Sequence, residues 1–186
     1  MLKLLIIGYV WPEPNSSGAG IRMMELIRLF LEQKWQLTYA SPAAMSEHMA
    51  DLDAVGGSQQ SIEVNSSSFD HFVSELMPDI VLFDRFMMEE QFGWRVEHAC
   101  PSALRIIESI DLHLLRDARH RLVKESLHVV KDVGKSDLYS EMAKREIASF
   151  YRSDLTLLIS AYEMELLTEQ FSIPGALLHL TPFMFD

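Results

Sequence analysis

Leu2-Lys3-Leu4-Leu5-Ile6-Ile7-Gly8 runs into the loop Tyr9-Val10-Trp11-Pro12-Glu13-Pro14-Asn15-Ser16-Ser17-Gly18-Ala19-Gly20 and then into Ile21-Arg22-Met23-Met24-Glu25-Leu26-Ile27-Arg28-Leu29-Phe30-Leu31-Glu32. The first run is short, apolar and rich in branched residues, as a strand covered on both faces is. The last has the apolar spacing of an amphipathic helix, with Ser17 placed to cap it. Strand, loop and helix in this order open an α/β sheet, in which ligands bind beyond the carboxyl ends of the strands. Gly18 and Gly20 are therefore candidate binding positions. Without side chains, they would let backbone N–H groups at the positive end of the helix approach an anionic or sugar ligand. Helix initiation and loop flexibility explain the same two glycines without a ligand.

Working outward, strand-like and helix-like segments alternate, which predicts a mainly parallel sheet with helices on both faces. Residues 35–40 read as a second strand, 42–53 as a short helix and 55–58 as a turn. Residues 61–65 read as a third strand with Ile62 and Val64 on one face. A helix over 68–77 ends at Pro78. Residues 79–83 make a fourth strand, 88–99 a helix and 103–108 a fifth strand. The segment 111–137 is long and polar, with helical patches and a mobile stretch expected near 132–137. A helix over 138–152 with Ala143, Ile147, Phe150 and Tyr151 on its apolar side precedes a sixth strand at 155–159. Ser160 and Glu163 form a Ser-x-x-Glu capping box opening the next helix. A turn at Ile173-Pro174-Gly175 leads to a seventh strand at 177–180. The expected fold is a Rossmann-like three-layer sandwich with about seven strands.

At 186 residues the chain suits one domain with a sizeable core. Its 48% hydrophobic and 23% charged residues are ordinary for a globular protein. A formal net charge of −11 argues against nucleic acid as a partner, which needs a basic footprint. Arg116, Arg119, Arg121 and Lys124, opposed within that stretch only by Asp117, are a solvated helix face or a peripheral contact with an anionic membrane. Cys100 is the single cysteine, which points to a reducing compartment and a cytoplasmic location. His113 and His120 with Asp111 and Asp117 have no metal-ligand spacing, so no metal is expected. Cys100 reads as a small buried residue and not as a nucleophile.

Familiar nucleotide motifs fail on residues. A dinucleotide fold wants Gly-x-Gly-x-x-Gly in the tight turn after strand one and an acidic residue after strand two. Here Gly8 is followed by Tyr9-Val10-Trp11, Gly18 comes too late, and strand two ends in Tyr39-Ala40-Ser41. A P-loop needs Gly-Lys-Ser/Thr, and Gly20 precedes Ile21-Arg22.

The remaining pattern resembles the N-terminal domain of GT-B glycosyltransferases, in particular the retaining family 4. The features that carry the resemblance are the Pro- and Gly-containing loop 12–20 before the first helix, Pro78-Asp79-Ile80-Val81 leading into strand four, Ser160-x-x-Glu163 after strand six, and the run from Ile173-Pro174 to Leu180-Thr181-Pro182. Lys34-Trp35 departs from the Gly-His-x-Val that the family carries before strand two. The resemblance implies a two-domain enzyme that transfers a hexose from a nucleotide sugar to an acceptor hydroxyl, with retention and without a cofactor. Residues 1–180 would be the acceptor-side domain and 181–186 the start of a linker to the chain's own donor-binding C-terminal domain, so the isolated chain is expected to be inactive. The other reading is a non-catalytic, flavodoxin-like module that binds a nucleotide or sugar.

The resemblance also implies site residues. The family carries a histidine, often beside an aspartate, after strand five, and Asp111 and His113 stand there as candidate catalytic residues. His113 would hydrogen-bond a sugar hydroxyl or stabilise developing charge. Asp84 and Arg85 follow strand four on the cleft side as substrate-binding candidates, with a simple ion pair as the plainer reading. Ser160 and Glu163 are further substrate-binding candidates. Glu90, Gln91 and Trp94 line an acceptor site or pack a helix.

Overall fold

The computed structural model describes residues 1–125 and 133–184. β1 (Lys3–Ile7) lies inside the sheet because it is apolar on both faces. Its Leu5 is in register with Thr38 of β2 (Gln36–Ser41) on one side and with Val81 of β4 (Ile80–Asp84) on the other. Outward from β2 comes β3 (Ser58–Ser61); outward from β4 come β5 (Leu104–Glu108), β6 (Leu155–Leu158) and β7 (Leu178–Leu180). The order is β3-β2-β1-β4-β5-β6-β7, and every neighbouring pair is parallel. The chain thus winds outward in both directions from β1 and β4, so a crevice opens beyond the carboxyl ends of those two strands. In a flavodoxin-like sheet β1 would neighbour β3; here it neighbours β4, which removes that reading of the fold.

Alternate residues of the central strands enter two cores. Leu4, Ile6 and Leu82 pack with Met23, Met24 and Ile27 of α1 (Gly18–Glu32). Leu5, Ile7, Val81 and Phe83 face the other way. They share a core with α2 (Ser67–Leu76), α3 (Phe86–Ala99), α4 (His113–Glu125), α5 (Glu141–Arg152) and α6 (Ala161–Phe171). Helices therefore cover both faces, as the alternation predicts. Among the described residues no helix is long and apolar enough to cross a membrane.

The structure corrects several local expectations. Residues 42–52 form no α-helix, and only a short 3-10 turn at Asp53–Val55 follows. Their polar groups are engaged by the β1–α1 loop instead: Trp11 Nε1 donates to the Ala43 carbonyl at 2.9 Å, the Ala50 N–H donates to the Pro12 carbonyl at 2.8 Å, and Ser46 bonds Glu13. β3 lies at Ser58–Ser61 and not at 61–65, because pairing with β2, including Thr38 Oγ1 to Ser58 Oγ at 3.0 Å, overrides the weak strand preference of a polar edge segment. Ile62 is buried while Val64 is exposed, so they share no face. The polar segment after β5 is one helix over His113–Glu125, and a 3-10 turn spans Lys135–Leu138; residues 126–132 of the expected polar and mobile stretch lie outside the described residues. In α5, Glu146 and Ser149 are buried with Ala143 and Phe150, whereas Tyr151 is exposed. The capping box at Ser160 does not form: Ser160 makes no side-chain cap, and Glu163 is drawn to α4.

Candidate functional site

The crevice is built first by close approaches of backbone. A Cβ on Gly8 would stand 1.8 Å from the Tyr39 hydroxyl, so only glycine lets β1 pass under that ring. The hydroxyl in turn donates to the Val10 carbonyl at 2.7 Å and fixes the start of the loop. A Cβ on Gly20 would meet the Glu13 carbonyl oxygen at 2.3 Å; the loop lies directly on the first turn of α1. Ser17 caps that turn as the spacing predicts, accepting the Gly20 N–H at 3.0 Å. Gly18 is exposed, and a Cβ there would meet nothing within 4 Å. Gly20 is thus required by packing, while Gly18 is free of such constraint.

Between this loop and β4 lies a cavity of about 170 Å³ bordered by Trp11, Glu13, Ser17, Gly20, Asp84 and Arg85. Asp84 is buried. Its Oδ2 accepts the Tyr9 N–H at 3.3 Å, while Oδ1 has no hydrogen-bond partner among the described residues. Arg85 Nε stays 3.9 Å from Oδ1, too far to satisfy it. Burial pushes the Asp84 carboxyl above the usual carboxylate range; Arg85, the Tyr9 N–H and His113 pull the other way. Arg85 has φ 72° and ψ 156°, a backbone geometry disfavoured for any side chain. Its N–H donates to the Glu108 carbonyl at 2.8 Å, and its guanidinium lies 5.4 Å over the Tyr9 ring. A buried acceptor without a donor thus stands beside a residue in a strained backbone conformation. The two side chains approach as a loose ion pair, 3.9 Å apart at their closest atoms.

His113 opens α4, with its ring edge-on to Phe86 at 5.4 Å and close enough to act on the charge of Asp84. The carboxyl-end side of the sheet thus carries Gly20 and His113 in the first turns of α1 and α4, with Asp84 and Arg85 at the end of β4. Asp111 turns outward and grips Arg116 through two hydrogen bonds at 2.8 and 2.6 Å. Glu163 is buried and accepts the Leu112 N–H at 3.0 Å. Burial raises its carboxyl, with the acids Asp111 and Glu146 adding to that and the Leu112 N–H and Arg119 opposing it. Oε1 thereby holds the start of α4, while Oε2 is buried without a hydrogen-bond partner among the described residues. Ser160 is half-buried at the start of α6. Of the α3 candidates, Glu90 pairs with Arg145 at 2.5 Å, Gln91 bonds Asn65, and Trp94 is exposed. In the basic stretch, Arg116 and Arg121 are paired with Asp111 and Asp117, and Arg119 and His120 are exposed.

Sequence reasoning missed Arg22, Glu108 and Glu146, all fully or almost fully buried. Arg22 of α1 bonds Glu108 at the end of β5 through Nε at 2.7 Å and Nη2 at 3.1 Å, and its Nη1 donates to the Pro182 carbonyl at 3.0 Å. Burial raises the Glu108 carboxyl, with Arg22 opposing it. A lone arginine on the apolar face of α1 and a lone glutamate closing an apolar strand were the available signals.

No known family's sequence profile and no curated protein matches the chain. Solved glycosyltransferase structures nevertheless share its fold. Sucrose-phosphate synthase from Thermosynechococcus elongatus superposes with a TM-score of 0.62 at 12% identity, over 98% of this chain and 48% of that one. The lipopolysaccharide outer core galactosyltransferase WaaB gives 0.56 at 14% identity, over 96% and 45%. A glycosyltransferase from Rickettsia africae gives 0.53 at 11% identity, over 97% and 42%. Likeness at such low identity concerns the fold alone. The chain has the GT-B-like α/β fold of these transferases and spans less than half the length of each.

Proposed function

We propose that this chain is the acceptor-side part of a retaining, family 4-like glycosyltransferase that moves a hexose from a nucleotide sugar to an acceptor hydroxyl in the cytoplasm. The observation that carries the reading is the buried Asp84 with its open Oδ1, beside strained Arg85, at the point where the strand order diverges. Oδ1 is suited to accept a hydrogen bond from an acceptor hydroxyl, whose donor would repair the missing partner. Arg85 offers charge to an anionic part of either substrate. His113 hydrogen-bonds a sugar hydroxyl as the glycosidic bond breaks. The donor-binding carboxylates belong to a further domain, and the nucleotide sugar is a substrate, with no cofactor or metal in the scheme. The basic face of α4 is available for a peripheral membrane contact.

The test uses the full-length protein and a panel of UDP- and GDP-hexoses, following nucleotide release. Turnover with at least one donor is expected, with Asp84→Asn and His113→Ala each lowering kcat by roughly tenfold or more in variants that remain folded. Absence of both binding and turnover across the panel overturns the reading. Residues 1–186 alone are expected to bind these donors weakly or not at all by calorimetry.

A further inference from the structure

The first amide groups of α4 are taken by acids from two other helices. Glu146 of α5, 1% exposed, accepts the N–H of His113 at 3.0 Å and of Leu114 at 2.7 Å. Glu163 of α6 accepts that of Leu112. The His113 ring stands beside the same Glu146 carboxylate. Its Nδ1 is buried, makes no hydrogen bond among the described residues, and lies 3.6 Å from Glu146 Oε1. On the other side of the ring, Nε2 is 3.3 Å from Arg116 Nη2. A guanidinium has donors only, so a neutral ring meets it with a lone pair on Nε2 and carries its proton on Nδ1, facing Glu146. Arg116 is itself held by both carboxylate oxygens of Asp111. That pair is half-exposed, and pairs of this kind are weak and readily exchanged.

We propose that Glu146 is a positioning residue that keeps His113 in the Nδ1–H form, and that Arg116, tethered by Asp111, is a removable cover over Nε2. The four residues act in sequence. Glu146 fixes the ring and its proton, His113 offers an acceptor nitrogen, Arg116 occupies it, and Asp111 holds Arg116 until a stronger partner arrives. Naming that partner a substrate hydroxyl rests on the transferase reading; the order of contacts does not. In this arrangement Asp111 acts on the site through Arg116, as a second positioning residue.

Two measurements test it without turnover. In ¹⁵N-histidine-labelled protein at about pH 8, where an ordinary imidazole is neutral, long-range proton–nitrogen correlation is expected to show His113 protonated on Nδ1. Glu146→Gln keeps an acceptor oxygen for the Leu114 N–H only and sets an NH₂ donor where Oε1 stood, beside Nδ1, so the ring is expected to shift toward the Nε2–H form. A wild-type ring protonated on Nε2, or a tautomer ratio unmoved in a folded Glu146→Gln, overturns the positioning role. The wild-type spectrum decides by itself if that variant fails to fold. For the cover, Arg116→Ala and Asp111→Asn should each raise the rate at which diethyl pyrocarbonate modifies His113 by roughly fivefold, the gain when a hydrogen-bonded lone pair is released. Rates equal to wild type, read on the His113 peptide, overturn the cover. A full-length protein that turns over no nucleotide sugar would sink the transferase reading while these two measurements still decide the present one.

Discussion

Arg22 and Glu108 meet with both side chains entirely out of water, 2.7 Å apart at their closest atoms. The pair joins α1 to the end of β5 and, through the Pro182 carbonyl, to the chain leaving β7. Removing one partner strands a buried charge. Arg22→Ala or Glu108→Ala is expected to cost about 3–5 kcal/mol, whereas Arg22→Met with Glu108→Leu should recover most of it. Urea unfolding of the three variants checks this; single and double variants of equal stability would contradict it.

Asp84 gives a pH dependence with a definite sign. Its folded pKa is raised, chiefly by burial, against the pull of Arg85. A carboxyl so shifted favours the folded state below its unfolded pKa, near about 3.9, and loses that contribution as pH rises through the folded value. Asp84→Asn does not titrate. Its melting temperature relative to wild type should therefore climb as pH rises from about 4 to about 8, and a difference that shrinks over that range refutes the assignment. Glu108 and Glu163 are raised too and carry the same sign.

The two loop glycines should separate cleanly. Gly20→Ala forces a methyl into the Glu13 backbone and is expected to cost about 1–3 kcal/mol. Gly18→Ala enters open space at the start of a helix and should be neutral or stabilising by up to about 1 kcal/mol. Thermal melts compare them directly, and equal losses would place both glycines in the same packing role.

Arg85 holds strain that a glycine would release. Arg85→Ala keeps the φ of 72° without the guanidinium, and Arg85→Gly removes both. The glycine variant should be more stable than the alanine variant by about 1 kcal/mol or more, while both lose the charge beside the cavity. Denaturation curves that place alanine above glycine would show the backbone there to be relaxed.

Local pattern carried the architecture. The apolar β1, the alternation after it and the Pro78 stop are readable because period and burial agree there. The segment after β2 and the edge strand β3 were misread because their polar groups bond the β1–α1 loop and β2, partners that no local window contains. Asp84 and Arg85 are visible as polar residues at the end of an apolar strand, and His113 only through the family resemblance. Arg22 is not, since its partner lies 86 residues away. Ser160-x-x-Glu163 has the residues of a capping box, yet the Glu163 carboxylate is engaged 51 residues upstream at Leu112. A local motif lost there to a tertiary contact that satisfies a buried amide.

That contact and its twin at Glu146 give the crevice a polarity. The positive end of α4 is neutralised from inside by two acids, so an approaching anion gains little from it. α1 has no acidic residue in its first turn. On the proposed reading, a ligand with one charged and one hydroxylated end is expected to set its negative part toward the β1–α1 side and its hydroxylated part toward His113.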